Sequence, residues 1–209
     1  MKLAGDYWVP DVEELQLDAL TAGGWQLERL EKALKYVKEW RIAIDVGAHV
    51  GSWTRVLAER FKEVWAFEPA PDTFACLRKN VTAPNVELSQ LALGDSCKRI
   101  GMLDDERFGS RNTGGRHLSG DGDVGMITLD QLNIFPVDFI KLDVEGFEPM
   151  VIEGARETLT RWKPVIIVED KARMARRYGY APGLARQMLE MLGATEVNHI
   201  GDDHIFLWR

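Results

Sequence analysis

Asp45, Gly47 and Gly51 stand at the spacing Asp-x-Gly-x-x-x-Gly in the segment 41–54, RIAIDVGAHVGSWT, directly behind the apolar run Ile42, Ala43 and Ile44. A buried strand that runs into a glycine-bounded turn and then a helix leaves backbone exposed to a ligand, and this is where α/β folds bind nucleotide-type cofactors. A dinucleotide fingerprint needs glycine at the position held here by His49 and again at Ser52, so a side chain stands where a diphosphate would lie. The pattern therefore favours a small cofactor without a pyrophosphate, the alternative being a tight strand-to-helix turn with no ligand. Glu68 follows at the end of a second apolar run, 64–67, in the place where such folds put a carboxylate on a ribose. A third constellation lies in 138–148, DFIKLDVEGFE, where Asp143 ends a strand beside the cofactor turn and Glu145 and Gly146 follow at the strand-to-helix junction. Lys141 and Asp143 are two apart, so they share one face of a strand and can offset each other's desolvation.

These residues need a scaffold, and the hydrophobic patterning supplies one. Apolar strands are expected at 42–46, 64–67, 86–93, 139–144, 165–168, 195–200 and 204–208, with helical periodicity between most of them; Trp53, Val56, Leu57 and Phe61 are one such helical face. Pro71 and Asp72 open a further helix with Phe74 and Leu77 turned inward. Alternation of this kind predicts a Rossmann-like, doubly wound α/β fold: a mostly parallel seven-stranded sheet with helices on both faces. The last two strands, joined across Gly201, Asp202 and Asp203, suit an antiparallel hairpin at the sheet edge. Residues 1–40 are expected to form an N-terminal helical cap on the domain 41–209, with a turn at Trp8, Val9 and Pro10, a glycine pair at Gly23 and Gly24, and a stripe of Leu27, Leu30, Leu34 and Val37 facing the sheet. The stretch 101–125 carries glycines at 109, 114, 115, 120, 122 and 125, too many for a packed element. It is expected to be an exposed disordered hairpin or a mobile cover over the site.

At 209 residues and 45% hydrophobic content the chain is long enough for one α/β domain with a substantial core. Its 33 acidic and 26 basic side chains give a net charge of −7, which argues against a nucleic-acid partner. Cys76 and Cys97 have neither CxxC nor metal-ligand spacing, so they are read as reduced thiols of a cytoplasmic protein, with no zinc site expected. The N-terminus lacks an apolar signal core, and no apolar run is of membrane-spanning length.

The segments IDVGAHVGSWT, AFEPAPDTFACLRKNV, VELSQLALGD, TLDQL and, most specifically, VDFIKLDVEGFEPMVIEGA followed by PVIIVE together resemble the FkbM-type family of class I S-adenosylmethionine-dependent methyltransferases, over about 42–170. The family usually has Asn where His49 stands. The resemblance implies S-adenosylmethionine as cofactor, with Asp45, Gly47, Ala48, His49 and Gly51 around its methionine moiety, Glu68 and Pro69 at the ribose, and Leu91, Ala92 and the residues to Asp95 near the adenine. Asp143 would face the sulfonium and amino group, both cations that strand-end carboxylates favour. The resemblance further implies transfer to a hydroxyl of a small metabolite or sugar, a small-molecule or glycan acceptor whose proton must be removed; Glu145, Glu169, Asp170 and His117 are the candidates, with Asp143, Glu145 and Glu169 forming the catalytic set. Asp143, Glu169 and Asp170 also resemble the magnesium-binding carboxylates of catechol-type methyltransferases, where three oxygen ligands plus water would hold Mg2+ and lower the acceptor's pKa. Two other readings are a non-catalytic module that binds the cofactor without turnover, and a nucleic-acid methyltransferase on the same fold. The number of subunits stays open.

Overall fold

The structure is a computed structural model that describes residues 1–22 and 26–208; the glycine pair at Gly23 and Gly24 lies outside the described residues. The chain opens on an antiparallel hairpin of β1 (Lys2–Ala4) and β2 (Tyr7–Val9), followed by the short helices α1 (Leu17–Thr21) and α2 (Leu27–Leu34). The expected cap is thus only partly helical. Trp8 and Val9 are strand residues, because the alternating buried side chains of Tyr7 and Val9 pack with Ala4, Leu20, Val50 and Cys76. The Asn80 side chain fastens this hairpin by bonding both the N–H and the C=O of Trp8, as well as the C=O of Val50.

The main domain runs β3 (Ile42–Val46), α3 (Ser52–Ala58), β4 (Glu63–Phe67), α4 (Pro71–Asn80) and β5 (Val86–Ser89). Four short strands follow, β6 (Ala92–Leu93), β7 (Lys98–Ile100), β8 (Met102–Leu103) and β9 (His117–Leu118), and then β10 (Val124–Ile127) and β11 (Val137–Leu142). The chain closes with α5 (Glu148–Glu153), α6 (Arg156–Trp162), β12 (Val165–Glu169), α7 (Ala172–Arg177), α8 (Leu184–Met191), β13 (Ala194–Ile200) and β14 (Asp203–Trp208). The seven-stranded sheet has the order β13-β14-β12-β11-β3-β4-β5, parallel except for β14, which is antiparallel to both of its neighbours. This is the doubly wound sheet with a terminal hairpin that the alternation predicts.

Period-two side-chain alternation explains why both faces are covered. Ile42, Ile44 and Val46 of β3, Ile140 and Leu142 of β11, and Ile166 and Val168 of β12 enter one core cluster, with Val151 and Ile152 of α5 and Leu189 of α8. Ala43, Phe139, Val165 and Ile167, the intervening residues, enter the other, against Leu30, Ala33 and Leu34 of α2 and Trp53 and Leu57 of α3. Val37 joins this second cluster beyond the end of α2, so the predicted stripe buries where expected.

Two expectations need correction. The apolar run 86–93 is not one strand: β5 pairs with β4 only as far as Ser89, and β6 pairs with β10 in a separate three-stranded sheet. Of the two readings of the glycine-rich stretch, the disordered hairpin gives way to paired strands, in that sheet and in a separate two-stranded one. β7 pairs with β10, β8 pairs with β9, and the Asp105 carboxylate ties the turn between them by accepting from the N–H groups of Arg107 and Phe108 and from the Asn112 amide. No helix among the described residues is long and apolar enough to cross a membrane.

Candidate active site

The turn after β3 is fastened to β4 by the N–H groups of Gly47 and Ala48, both donating to the Phe67 carbonyl at 3.0 and 2.9 Å. Gly47 sits at φ +79°, and a Cβ there would meet the Asp143 carbonyl oxygen at 1.9 Å, so the turn lies directly on the end of β11. His49 follows in the left-handed region at φ 52°, a conformation that Asn, Asp and His tolerate better than most residues. Its backbone N–H donates to Glu68 Oε2 at 3.0 Å, while the Ala70 N–H donates to Glu68 Oε1 at 2.8 Å. Each carboxylate oxygen keeps acceptor capacity for a ligand. Burial pushes the Glu68 carboxyl up to about 7 against the opposing pull of those two N–H groups.

Lys141 and Asp45 are direct cross-strand partners on β11 and β3, so both point to the same face. The Lys141 ammonium lies 3.2 Å from Asp45 Oδ1 and 3.9 Å from Asp143 Oδ2, and donates to the Gly47 carbonyl. The Thr54 hydroxyl donates to the other Asp45 oxygen at 2.6 Å. Burial works against the Lys141 charge, but Asp45 and Asp143 outweigh it and hold its pKa above the usual value. The pairing expected of Lys141 with Asp143 is therefore a triangle whose closest member is Asp45.

Beyond β11 the chain turns through Glu145, at φ 58°, into α5. Glu145 and Glu169 are buried carboxylates bridged by the Lys171 ammonium, 3.7 Å from Glu145 Oε1 and 2.6 Å from Glu169 Oε2. Burial lifts the Glu145 carboxyl to about 7 and, reinforced by the Asp143 charge, drives Glu169 well above its ordinary value. Glu145 Oε2 is buried with no hydrogen-bond partner among the described residues. Glu148, up at about 8 through burial, braces the turn by accepting from the N–H groups of Val144 and Gly146.

Asp143, Glu145 and Glu169 bring one oxygen each to within 4.8 Å of one another; Asp170, expected in that group, is elsewhere. Successive residues at a strand end point to opposite faces, and the Asp170 carboxylate accepts from Arg186 Nε at 3.1 Å and from the Gly183 N–H. Glu145 takes its place in the carboxylate cluster.

Gly47, Glu68, Lys141, Asp143, Glu145, Glu169 and Lys171 line one cavity of about 460 Å3, together with Ala48, His49, Pro69, Leu91, Ala92 and Leu93. Asp45 and Gly51 are not on its wall: Asp45 is fully buried under the turn, and the open side of Gly51 faces Leu77 and Val81. Asp95 is exposed and paired with Lys98. His117 lines the cavity with its Nδ1 buried and unpartnered among the described residues.

The sequence did not reveal the latch that closes the cavity from the side of residues 1–22. Glu13, fully buried, accepts from both the N–H and the hydroxyl of Thr113, and Thr113 Oγ1 lies 2.8 Å from His49 Nε2. Burial lowers the His49 pKa to about 4, so the ring is neutral and its Nε2–H donates to a threonine oxygen already committed as donor to Glu13. The glycine-rich segment is thereby fixed over the turn that follows β3.

Residues 45–194 match the family model described as the methyltransferase FkbM domain. No curated protein sequence matches the chain significantly. Among solved structures, a methyltransferase FkbM from Methylobacillus flagellatus is 16% identical with a TM-score of 0.56, over 98% of this chain and 57% of that one. A precorrin 8W decarboxylase from Methanobacterium thermoautotrophicum is 15% identical with a TM-score of 0.57, over all of both chains. A TehB-like SAM-dependent methyltransferase from Corynebacterium glutamicum is 12% identical with a TM-score of 0.53, over 93% and 95%. The chain spans little more than half of the first of these structures, and at such identities the likeness is one of fold.

Proposed function

The chain belongs to the FkbM family of S-adenosylmethionine-dependent methyltransferases, and from that premise we propose that its cavity directs the methyl group of S-adenosylmethionine onto a hydroxyl of a small metabolite or sugar. The observation that carries this reading is the position of Glu68. Its two oxygens are aimed by the N–H groups of His49 and Ala70 on the wall of a cavity that also holds Asp143 and the Glu145–Glu169 pair. In this assignment Glu68 and Pro69 take the ribose, Leu91 and Ala92 the adenine, and Gly47, Ala48 and His49 the methionine moiety. Asp143, about a third exposed, faces the sulfonium and the amino group. Asp45 and Gly51 act on the cofactor indirectly, through Lys141 and through the shape of the turn.

Methyl transfer is an in-line displacement in which the acceptor oxygen forms a bond to the methyl carbon as the carbon–sulfur bond breaks, leaving a neutral thioether. Most of the catalysis is therefore positioning in a dry site. The acceptor proton goes to the Glu145 carboxylate, which lines the cavity and has a pKa of about 7, near the optimum for a general base at neutral pH. Glu169, held by Lys171, keeps Glu145 company as a positioning residue. The Lys171 ammonium already provides positive charge between the two carboxylates, which supports a metal-independent reaction rather than one that uses Mg2+.

A net charge of −7 and cavity walls rich in carboxylates favour a small-molecule or glycan acceptor over a nucleic acid. Cys76 and Cys97 are free thiols, which supports a reducing, cytoplasmic setting. Methyl transfer from radiolabelled S-adenosylmethionine to a panel of sugars and hydroxylated metabolites tests the reading. Labelled methyl ether on one of them, lost in a Glu145→Gln variant that still binds the cofactor, is the expected result; labelling of RNA or DNA instead, or undiminished labelling by Glu145→Gln, would count against it.

A further inference from the structure

The C-terminal hairpin carries a second constellation, remote in sequence from the methyl-transfer residues. Glu196 and His199 are three apart on β13, a spacing that puts side chains on opposite faces of a regular strand. The β13–β14 register shifts between Glu196 and Asn198, and this bulge returns Glu196 to the face of His199. His199 is the direct cross-strand partner of His204 on β14. Glu196 Oε1 consequently lies 2.9 Å from His204 Nδ1 and 3.5 Å from His199 Nδ1, and one ligand atom from each residue falls within 4.8 Å of the other two.

We propose that Glu196, His199 and His204 form a binding site for a divalent transition metal, with Zn2+ as the best-suited ion. Two imidazoles and one carboxylate are borderline ligands of the zinc type, unlike the all-oxygen sets that Mg2+ and Ca2+ prefer. A tetrahedral zinc with ligands near 2.0–2.1 Å requires ligand atoms about 3.3 Å apart, and the two measured carboxylate–imidazole separations bracket that value. His199 is largely exposed, so its ring can close the remaining edge by side-chain rotation, while His204 is nearly buried and fixed. The second carboxylate oxygen faces Arg186 at 3.9 Å, and Arg186 is anchored on Asp170, so the supporting shell orients Glu196 and leaves Oε1 for the ion. A water would complete the four-coordinate set. The expectation of no zinc site rested on cysteine spacing alone, and these ligands need no cysteine.

The ion would clamp β13 to β14, which carries Asp203 beside Glu169 of β12. Because it binds the folded hairpin and not the unfolded chain, it raises thermal stability by mass action. The test is calorimetric titration of ZnSO4 into the full chain, alongside His199→Ala/His204→Ala and Glu145→Gln, with thermal melts of each. One zinc per chain is expected. The double histidine variant should lose about tenfold or more in affinity, Glu145→Gln should lose nothing, and a hundredfold excess over the dissociation constant should raise the wild-type melting temperature by about 5–10 °C. Equal zinc affinity in the double histidine variant, or a loss confined to Glu145→Gln, would overturn the proposal and move the ion to the Asp143–Glu145–Glu169 cluster. No saturable binding in the wild type would overturn it outright. None of these outcomes bears on methyl transfer.

Discussion

Lys141→Met removes the only ammonium beside Asp45 among the described residues and leaves that carboxylate fully buried, with the Thr54 hydroxyl as its remaining side-chain partner. Breaking a buried ion pair from one side costs about 3–5 kcal/mol, far more than the pair contributes over an apolar substitute, because the surviving charge stays desolvated. For a chain of this size about 2–4 °C of melting temperature accompanies each kcal/mol, so the variant should melt about 6–20 °C lower. Its pH dependence carries the sharper signature. Against the effect of burial, Asp45 and Asp143 hold the folded-state pKa of Lys141 above its unfolded value, so the stability its charge contributes is fully present below the ordinary lysine pKa and is lost as pH climbs through the raised one. The stability deficit of the variant must then stay constant through neutral pH and narrow at strongly alkaline pH. Asp45→Asn combined with Lys141→Met should recover part of the loss, since no unpaired charge remains. Thermal melts across pH on wild type, both single variants and the double variant measure all of this. A drop of less than about 2 °C, or a deficit independent of pH, would refute the account of Lys141 as the counter-charge under the cofactor turn.

Glu145→Gln should abolish the rising limb of a kcat/KM profile that in the wild type climbs as the base deprotonates around pH 7, with cofactor affinity unchanged; stopped-time assays across pH check it. The apo protein should melt lower at about pH 9 than at about pH 7, because Glu68, Glu145, Glu148 and Glu169 have raised folded-state pKa values, so the stability they contribute when protonated is lost as pH climbs through them. Differential scanning fluorimetry would show a flat profile if those groups were charged throughout. Gly47→Ala should cost about 3 kcal/mol or more and abolish cofactor binding, given a Cβ 1.9 Å from the Asp143 carbonyl at a positive φ; a soluble variant with native affinity would contradict the close approach. Methyl transfer should be indifferent to EDTA, and activity restored by added Mg2+ would show that Lys171 does not serve in the place of a metal.

The residues legible in the sequence are those whose signal is local. β3 and its turn occupy one continuous segment, and Glu68 follows at the next strand end, so apolar runs and glycine spacing were enough to bring them together. The seven-stranded sheet followed from alternation for the same reason. What escaped depends on register or on distant partners. Glu13, Thr113 and His49 meet through contacts 64 and 100 residues apart, and no periodicity encodes them. The 86–93 run looked like one strand because its hydrophobic pattern passes unbroken through a change of sheet. Glycine density in 101–125 left a disordered hairpin and a cover over the site both open; the segment lines the cavity and is ordered by bonds that composition does not display: Asp105 to its own turn, Tyr178 Oη to the Leu118 carbonyl, and Glu13 to Thr113. Asp170 was grouped with Glu169 by adjacency, whereas strand geometry turns neighbours to opposite faces.

The central claim, that the Glu68 carboxylate receives the ribose of S-adenosylmethionine in this cavity, is tested most directly by calorimetric titration of S-adenosylhomocysteine into wild type and Glu68→Ala, with melting temperatures recorded for both. Hydrogen bonds to a charged group contribute about 1.5–3 kcal/mol each, and about 1.4 kcal/mol is tenfold in affinity. The account predicts saturable one-to-one binding to the wild type and at least about a tenfold loss in a variant that remains folded at the assay temperature. Wild-type protein that gives no heat with S-adenosylhomocysteine, or a folded Glu68→Ala variant with an unchanged dissociation constant, would contradict it.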